Sequence, residues 1–236
     1  LAIDVSTSML AEDLKPNRLE AAKDVAAEFI NGRPNDNIGI TLFAGETFTQ
    51  CPLTVDHAVL LDMIHNIKCG LIEDGTAVGM GVANAVTRLK DSKAKSKVVI
   101  LLTDGTNNKG DISPLTAAEI AKSFGIRVYT IGVGTNGMAP YPYPVGNTVQ
   151  YINMPVEIDE KTLTQIAGTT DGNYFRATSN SKLKEVYEEI DKLEKTKLNV
   201  KEYSKREEDY RWFALAAFLC VLLEVLLRNS ILKKIP

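Results

Sequence analysis

The sequence lacks most of the patterns by which enzymes and disulfide-stabilised proteins are recognised. Its 236 residues contain three cysteines, Cys51, Cys69 and Cys220, with no CxxC pair and no zinc-type spacing. Neither Gly-x-Ser-x-Gly nor His-Glu-x-x-His occurs, so the usual hydrolase signatures are missing. A net charge of −3 gives no electrostatic reason to expect nucleic acid. We therefore predict free thiols, no catalytic residues, no enzymatic activity and no nucleic-acid partner.

A dinucleotide-binding loop is also excluded, although one glycine pattern resembles it. Gly132, Gly134 and Gly137 fit G-x-G-x-x-G after a predicted strand. Such a loop requires a helix to begin there, because the helix amides hold the pyrophosphate. The stretch that follows carries several prolines, which remove helix donors and clash with the preceding turn. We predict no organic cofactor site, and an inserted loop or hairpin at residues 134–157.

Strand-like and helix-like apolar patterns alternate along residues 1–193. Short β-branched or continuous apolar runs predict strands at 1–4, 37–44, 46–51, 98–102, 127–133 and 172–177. Apolar residues at helical spacing predict helices at 18–30, 56–66, 77–90, 114–124 and 181–193. This alternation predicts an α/β fold, a doubly wound and mostly parallel central sheet with helices on both faces. Because residue 1 already lies in a predicted strand, we expect the chain to be part of a longer protein.

Oxygen-bearing side chains lie in three loops at the boundaries of predicted strands or helices. Asp4, Ser6 and Ser8 come directly after the first strand, and their alternation points them the same way. Thr76 and Asp104 follow later, the second immediately after a buried strand. These are hard oxygen donors, which suit Mg²⁺, with Mn²⁺ or Ca²⁺ as alternatives, and not Zn²⁺. The structural alternative is that Asp, Ser and Thr cap loops through hydrogen bonds to the backbone.

The proposed ligand set indicates what a bound metal ion would do. Hydroxyl ligands are neutral, so a dication held largely by them keeps much of its positive charge. Magnesium also retains water at open coordination positions. A carboxylate from another protein could displace one such water, and the site would then act as a metal-mediated docking point.

These residues carry a family resemblance. The Asp4-x-Ser6-x-Ser8 loop, the loop ending in Thr76 and the turn containing Asp104 resemble the metal-ion-dependent adhesion site of von Willebrand factor type A (VWA) domains. All five ligand positions of that motif are present, and the order of elements is similar over residues 1–193. The resemblance implies a VWA fold, a complete metal site and recognition of a protein partner.

A narrower resemblance concerns the bacterial aerotolerance (BatA-like) membrane proteins. It rests on residues 16–23 (PNRLEAAK), residues 50–54 (QCPLT), the proline-rich insertion and an apolar C-terminal segment. The resemblance implies a protein of the bacterial inner membrane that helps assemble or remodel other complexes. Its implied partners are related VWA membrane proteins and a MoxR-type AAA+ ATPase.

The C-terminal region changes composition sharply. Residues 194–211 are dominated by charge and predict a linker or stalk. Residues 212–227 (WFALAAFLCVLLEVLL) are apolar apart from Glu224. As a helix they span roughly 24 Å, against roughly 30 Å of bilayer hydrocarbon. Adding the following apolar residues predicts a membrane helix at 212–232, and the alternative is a helix that packs on a soluble partner.

Two arguments predict opposite orientations of this anchor in the membrane. The basic residues Arg228, Lys233 and Lys234 after the segment favour a cytoplasmic C-terminus and an extracytoplasmic VWA domain. A MoxR-type ATPase, in contrast, would have to meet the domain in the cytoplasm. We expect the extracytoplasmic arrangement, with the second alternative left open.

Three function classes remain. The expected one is a membrane-anchored, metal-dependent interaction module. The second is a structural scaffold whose metal stabilises the loops. The third is a metal-dependent hydrolase, which would need a general base near the ion. Asp74 or Glu73 are the candidates for that base.

Overall fold

The structure is a computed structural model that describes residues 1–146 and 148–204, together with isolated positions between 215 and 227. The chain divides into two units, Leu1–Leu193 and Glu194–Pro236. The first unit contains every strand and nearly all of the helices. We describe each unit by itself.

Strands and helices alternate through the first unit as the sequence predicts. The strands are β1 (Ala2–Asp4), β2 (Ile38–Phe43), β3 (Thr47–Thr54), β4 (Val98–Thr103), β5 (Arg127–Val133), β6 (Met138–Val145), β7 (Thr148–Pro155) and β8 (Tyr174–Ala177). The helices are α1 (Arg18–Asn31), α2 (His57–His65), α3 (Val78–Leu89), α4 (Pro114–Ser123), α5 (Glu160–Thr169) and α6 (Asn180–Ser204). A short 3-10 helix, Thr7–Leu10, follows β1. Helix α5 is not predicted from the sequence, and α6 extends beyond its predicted end.

Polar side chains at the helix starts explain where several helices begin. Asn17 precedes α1 and its side chain accepts a hydrogen bond from the N–H of Glu20. Asp56, Ser113 and Asp159 cap α2, α4 and α5 in the same way. Each cap satisfies a donor that the first helical turn leaves without a partner.

The six-stranded main sheet has the order β3-β2-β1-β4-β5-β8. β3 runs antiparallel to β2, and the other neighbours in this sheet are parallel. The predicted α/β fold with a mostly parallel sheet is therefore confirmed. The chain leaves β1 toward β2 on one side, whereas β4 continues to β5 on the other. The strand order thus reverses between β1 and β4, at the position where open α/β sheets bind ligands.

Two apolar layers cover the sheet. On one face, Ile3, Leu42 and Leu102 pack with the buried sides of α1, α2 and α6. On the other face, Val99 and Leu101 pack with α3, α4 and α5. Because successive strand residues point to opposite faces, a strand buried on both sides must be apolar throughout. This explains the continuous run VVILL in β4.

The proline-rich insertion is a hairpin. β6 and β7 pair antiparallel as a separate two-stranded sheet, from Met138 opposite Pro155 to Val145 opposite Thr148. Gly146 at the tip has a φ of 61°, a left-handed conformation that glycine adopts without steric cost. Every residue of β7 is exposed. The insertion therefore projects from the domain instead of packing into its core.

The second unit contains the C-terminal part of α6, which runs to Ser204. The described part of the charged segment predicted at 194–211 is therefore helical. The membrane helix predicted at 212–232 lies outside the described residues, apart from the isolated positions. Among the residues that the structure describes, no helix combines the length and apolar character needed to cross a bilayer.

Gly79 in α3 offers a direct test of the packing between α3 and the segment before α4. A Cβ at Gly79 would lie 2.0 Å from the carbonyl oxygen of Ile112. We expect Gly79→Ala to lower the free energy of unfolding by about 1–3 kcal/mol, as overpacking does, measured by urea denaturation. Gly168 lies in helix α5, and nothing lies within 4 Å of an added Cβ there. Gly168→Ala should leave stability unchanged or raise it by up to about 1 kcal/mol, and equal losses in both variants would contradict this packing.

Candidate metal centre

The candidate site lies at the carboxyl ends of β1 and β4. Ile3 pairs with Leu102 in the parallel ladder, so the two strands end side by side at Asp4 and Thr103. Asp104 is the next residue after β4. Sheet topology therefore brings together two carboxylates that are 100 positions apart in the sequence.

Asp4 is fully buried and fixed from two sides. Its Oδ1 accepts a hydrogen bond from the Ser6 N–H at 2.9 Å, and its Oδ2 accepts one from Thr103 Oγ1 at 2.5 Å. Burial and the nearby charge of Asp104 raise the pKa of Asp4 to about 7. Positive charge beside Asp4 would therefore favour its ionised form.

A chain of hydroxyls connects the DxSxS loop to Asp104. Ser6 Oγ and Ser8 Oγ lie 2.9 Å apart, and Ser8 Oγ donates to Asp104 Oδ1 at 2.6 Å. Asp104 is 2% exposed, and burial raises its pKa above the usual value. The two serines thus lie between the carboxylates in the hydrogen-bond network.

Thr76 reaches the same place from the loop before α3. It is buried, and its N–H donates to Asn108 Oδ1 at 2.8 Å while its carbonyl accepts from the Asn108 N–H at 3.0 Å. A Cβ added to Gly105 would lie 3.2 Å from Thr76 Oγ1. The Thr76 hydroxyl therefore lies beside the residue that follows Asp104. All five side chains predicted as ligands are found at this end of the sheet.

The donor set fits a hard divalent cation. It consists of two buried carboxylates and three hydroxyls, all oxygen donors, the type that Mg²⁺, Mn²⁺ and Ca²⁺ prefer. The described residues contain no group of three or more His, Cys, Asp or Glu side chains that could hold a metal. An ion at this site would therefore depend on the hydroxyls of Ser6, Ser8 and Thr76.

Arg18 is a site residue that sequence reasoning missed. It is the first residue of α1 and is 3% exposed. Its Nη1 donates to Asp104 Oδ2 at 2.7 Å, and its Nε and Nη2 donate to Asp13 Oδ1 at 2.7 Å and Oδ2 at 2.6 Å. Burial opposes the ionisation of Asp13, but the hydrogen bonds from Arg18 and Thr135, together with the charge of Arg18, outweigh it and hold the pKa of Asp13 below its usual value.

A signal for Arg18 was present in the sequence. A basic residue in the first turn of a helix lies at the positive end of the helix dipole, which is unfavourable. Such a residue is therefore a candidate for a specific pairing with an acid. The sequence does not show which acid, because Asp104 lies 86 positions away.

The two carboxylates considered as general bases have other partners. Asp74 Oδ1 and Oδ2 accept hydrogen bonds from the N–H and Oγ1 of Thr7 at 3.0 Å and 2.7 Å. Glu73 forms an ion pair with Lys109. Asp74 therefore holds the DxSxS loop in place, and Glu73 holds the loop after β4.

Cys69 is a second unpredicted neighbour of the site. It is a free, half-buried thiol whose Sγ donates to the carbonyl oxygen of Ser6 at 3.3 Å. Burial and the charge of Asp4 raise its pKa to about 12, so it stays protonated and unreactive at neutral pH. Cys51 is also free and is buried, whereas Cys220 lies outside the described residues.

Comparison with known proteins agrees with this architecture. A profile of the family described as von Willebrand factor type A domain matches residues 1–189. The crystal structure of BatB from Bacteroides thetaiotaomicron is 34% identical, with a TM-score of 0.71, covering 81% of this chain and 96% of that one. An aerotolerance-related membrane protein from Bacteroides fragilis is 33% identical, with a TM-score of 0.68, covering 80% and 96%.

Two further relatives bear on the metal and on chain length. Proximal thread matrix protein 1 from the mussel byssus, in a structure described as having a zinc-occupied MIDAS motif, is 26% identical with a TM-score of 0.62, covering 80% of this chain and 43% of that one. A UPF0353 protein from Mycolicibacterium paratuberculosis is 32% identical over 79% of this chain. The chain spans 57% of the length of that relative.

The buried ion pairs of Arg18 allow a test of what stabilises the site in the absence of metal. Arg18→Met leaves the carboxylates of Asp13, Asp104 and Asp4 without a buried cation. We expect a loss of about 3–5 kcal/mol in the free energy of unfolding in EDTA, as for one partner removed from a buried pair. Excess Mn²⁺ should recover more stability in this variant than in the wild type.

Lys182→Met serves as the control, because it breaks an ion pair whose side chains are 53% and 62% exposed. It should change stability by less than about 1 kcal/mol in either buffer. Chemical denaturation with and without Mn²⁺ measures both variants. A loss for Arg18→Met no larger than that of the control would mean that the buried pairing contributes nothing.

Proposed function

Since the chain belongs to the von Willebrand factor type A domain family, we propose that it is a divalent-metal-dependent protein–protein interaction module. Asp4, Ser6, Ser8, Thr76 and Asp104 are its metal ligands in this proposal, and Mg²⁺ is the ion, with Mn²⁺ or Ca²⁺ as alternatives. The observation that carries the proposal is the burial of two carboxylates among three hydroxyls at the switch point of the sheet. The mussel neighbour whose described MIDAS motif holds zinc supports metal binding at this place in the fold.

The proposed ligand set leaves room for a carboxylate from a partner. Asp4, Asp104 and Asp13 carry three negative charges when ionised, and Arg18 neutralises one of them. A dication would balance the remaining two and leave the cluster neutral. An octahedral Mg²⁺ ion would keep water at the positions that the protein does not fill, and an acidic side chain of a partner could displace such a water.

The cellular location that we propose is based on the description of a similar protein. The Bacteroides fragilis neighbour is described as an aerotolerance-related membrane protein. We propose that this chain is anchored in the bacterial inner membrane through residues 212–232, with the domain on the extracytoplasmic side. Related VWA membrane proteins are the proposed partners on that side, in the assembly or remodelling of a membrane complex. A MoxR-type AAA+ ATPase is the proposed partner in the alternative orientation, with the domain in the cytoplasm.

The competing functions find less support in the site. A metal-activated hydrolase would need a free general base, whereas Asp74 accepts two hydrogen bonds from Thr7 and Glu73 pairs with Lys109. A scaffold with a purely stabilising metal predicts that partner binding survives removal of the ion. The experiments below separate that alternative from the proposal.

Metal binding is tested first, by titration calorimetry with MnCl₂ and MgCl₂. The wild-type chain should bind one ion, and Asp4→Asn should weaken binding by more than about tenfold, because it removes a charged ligand. Thr76→Ala, which keeps both carboxylates, should weaken it less. The control is Asp24→Asn on the exposed side of α1, which should bind like the wild type. Equal affinity in all four proteins would contradict the ligand assignment.

Partner recognition is tested by capture from detergent-solubilised membranes. The intact chain is used in Mg²⁺ and in EDTA, and Asp4→Ala and Asp24→Asn are used in Mg²⁺. We expect partners that are retained by the wild type and Asp24→Asn in Mg²⁺ and lost in the other two conditions. Circular dichroism shows whether Asp4→Ala remains folded, and Ser8→Ala replaces it if not. An identical set of partners in every condition would leave the ion a stabilising role alone.

A further inference from the structure

The β6–β7 hairpin has one edge that is closed to further pairing. In an antiparallel pair, residues alternate between those whose N–H and C=O point to the partner strand and those whose groups point outward. The Val156 N–H donates to the Gly137 carbonyl at 2.8 Å, whereas the Pro140 carbonyl accepts from the Glu12 N–H at 2.8 Å. The outward positions of β6 are therefore 138, 140, 142 and 144, and the last three are proline.

The same alternation leaves the opposite edge open. In the register of the hairpin, the outward residues of β6 lie opposite Val149, Tyr151, Asn153 and Pro155 of β7, and the first three of these carry an N–H. The N–H and C=O groups of these residues therefore point away from β6. Among the described residues, none accepts a hydrogen bond from these three N–H groups. This side of β7 is a free strand edge, a template for pairing with another strand.

Charge is absent from the whole hairpin. Residues 138–155 contain no Asp, Glu, Lys, Arg or His, in a chain of which 24% is charged. Natural edge strands are usually protected by charged residues, above all lysine. β6 is protected by its prolines, whereas β7 has one proline, Pro155 at its end, and no charged residue. Large apolar side chains on β7 are also exposed, including Val149, Ile152 and Met154.

We propose that the free edge of β7 pairs antiparallel with the β7 edge of a second copy of this chain. The outward residues with an N–H are symmetric about Tyr151: Val149 would lie opposite Asn153 of the second copy, and Tyr151 opposite Tyr151 of the second copy. This register uses these three residues of each strand and forms about six backbone hydrogen bonds. Two hairpins would become one four-stranded sheet across a two-fold axis.

The absence of charge is compatible with a second copy as the occupant. At a two-fold axis the central residue meets its own copy, so a charged residue there would face a like charge, which is destabilising. Tyr151 brings no charge to that position. Its hydroxyl already donates to Glu12 Oε1 at 2.9 Å, which directs the ring across the hairpin toward β6. The backbone groups of Tyr151 are thus left open at the edge.

Disulfide trapping tests the proposed register in the full-length chain, in native membranes. Directly opposite residues of a hydrogen-bonded pair have Cα atoms about 5.5 Å apart, within the range for a disulfide. Tyr151→Cys should therefore form a covalent dimer under mild oxidation. Tyr143→Cys is the control, because Tyr143 is 52% exposed but lies on β6, away from the proposed axis. It should crosslink at least about tenfold more slowly.

A second variant removes one donor from the free edge of β7 and leaves the hydrogen bonds within the hairpin in place. Asn153→Pro deletes one outward N–H, and proline is tolerated on edge strands. It should abolish the covalent dimer of Tyr151→Cys and weaken dimerisation of the detergent-solubilised chain, measured by sedimentation, by more than tenfold.

Four outcomes would overturn the proposal. One is equal crosslinking of Tyr151→Cys and Tyr143→Cys. Another is an unchanged dimer fraction in Asn153→Pro. The third is a Tyr151→Cys product that contains a different protein, which would make the occupant a strand of that protein. A chain that stays monomeric and forms no product at Tyr151 also excludes the dimer.

Discussion

The fold requires two carboxylates to be buried side by side at the ends of neighbouring strands. Asp4 and Asp104 lie where the strand order of the sheet reverses, and both are shielded from water. A buried negative charge is costly unless hydrogen bonds and positive charge compensate it. The rest of the site follows from this constraint. Arg18 supplies a permanent cation, the hydroxyls of the DxSxS loop and Thr103 supply hydrogen bonds, and a divalent ion would supply the remaining charge.

The site and the hairpin are connected through the short segment at Glu12 and Asp13. Asp13 pairs with Arg18 and also accepts hydrogen bonds from the N–H and Oγ1 of Thr135, at 2.8 Å and 3.1 Å. Thr135 belongs to the segment that leads into β6. The Glu12 N–H donates to Pro140 on β6. Glu12 and Asp13 therefore bind the base of the hairpin, and Asp13 also binds the arginine beside the candidate metal site. The same short segment thus contacts both the metal site and the hairpin that carries the free edge of β7.

Local patterns in the sequence were sufficient for most of the fold and for the composition of the site. The continuous apolar run of β4 identified a central strand, and DxSxS followed by Thr76 and Asp104 identified the oxygen cluster. Helix α5 was missed because it buries just three apolar residues, Leu163, Ile166 and Ala167, and directly follows the proline-rich insertion. The role of Arg18 was missed because its partner Asp104 is distant in sequence and is brought near by the pairing of β1 with β4. The open edge of β7 depends on strand register, which a sequence pattern does not specify.

The oxygen cluster is proposed to hold one divalent cation. Crystals of the chain grown with MnCl₂ and measured on both sides of the manganese absorption edge would show whether it does. We expect a single anomalous peak within about 2.2 Å of the hydroxyl oxygens of Ser6 and Ser8, a typical distance for a hard cation and oxygen ligands. A map without a peak at this position, or with manganese bound elsewhere on the protein, would contradict it.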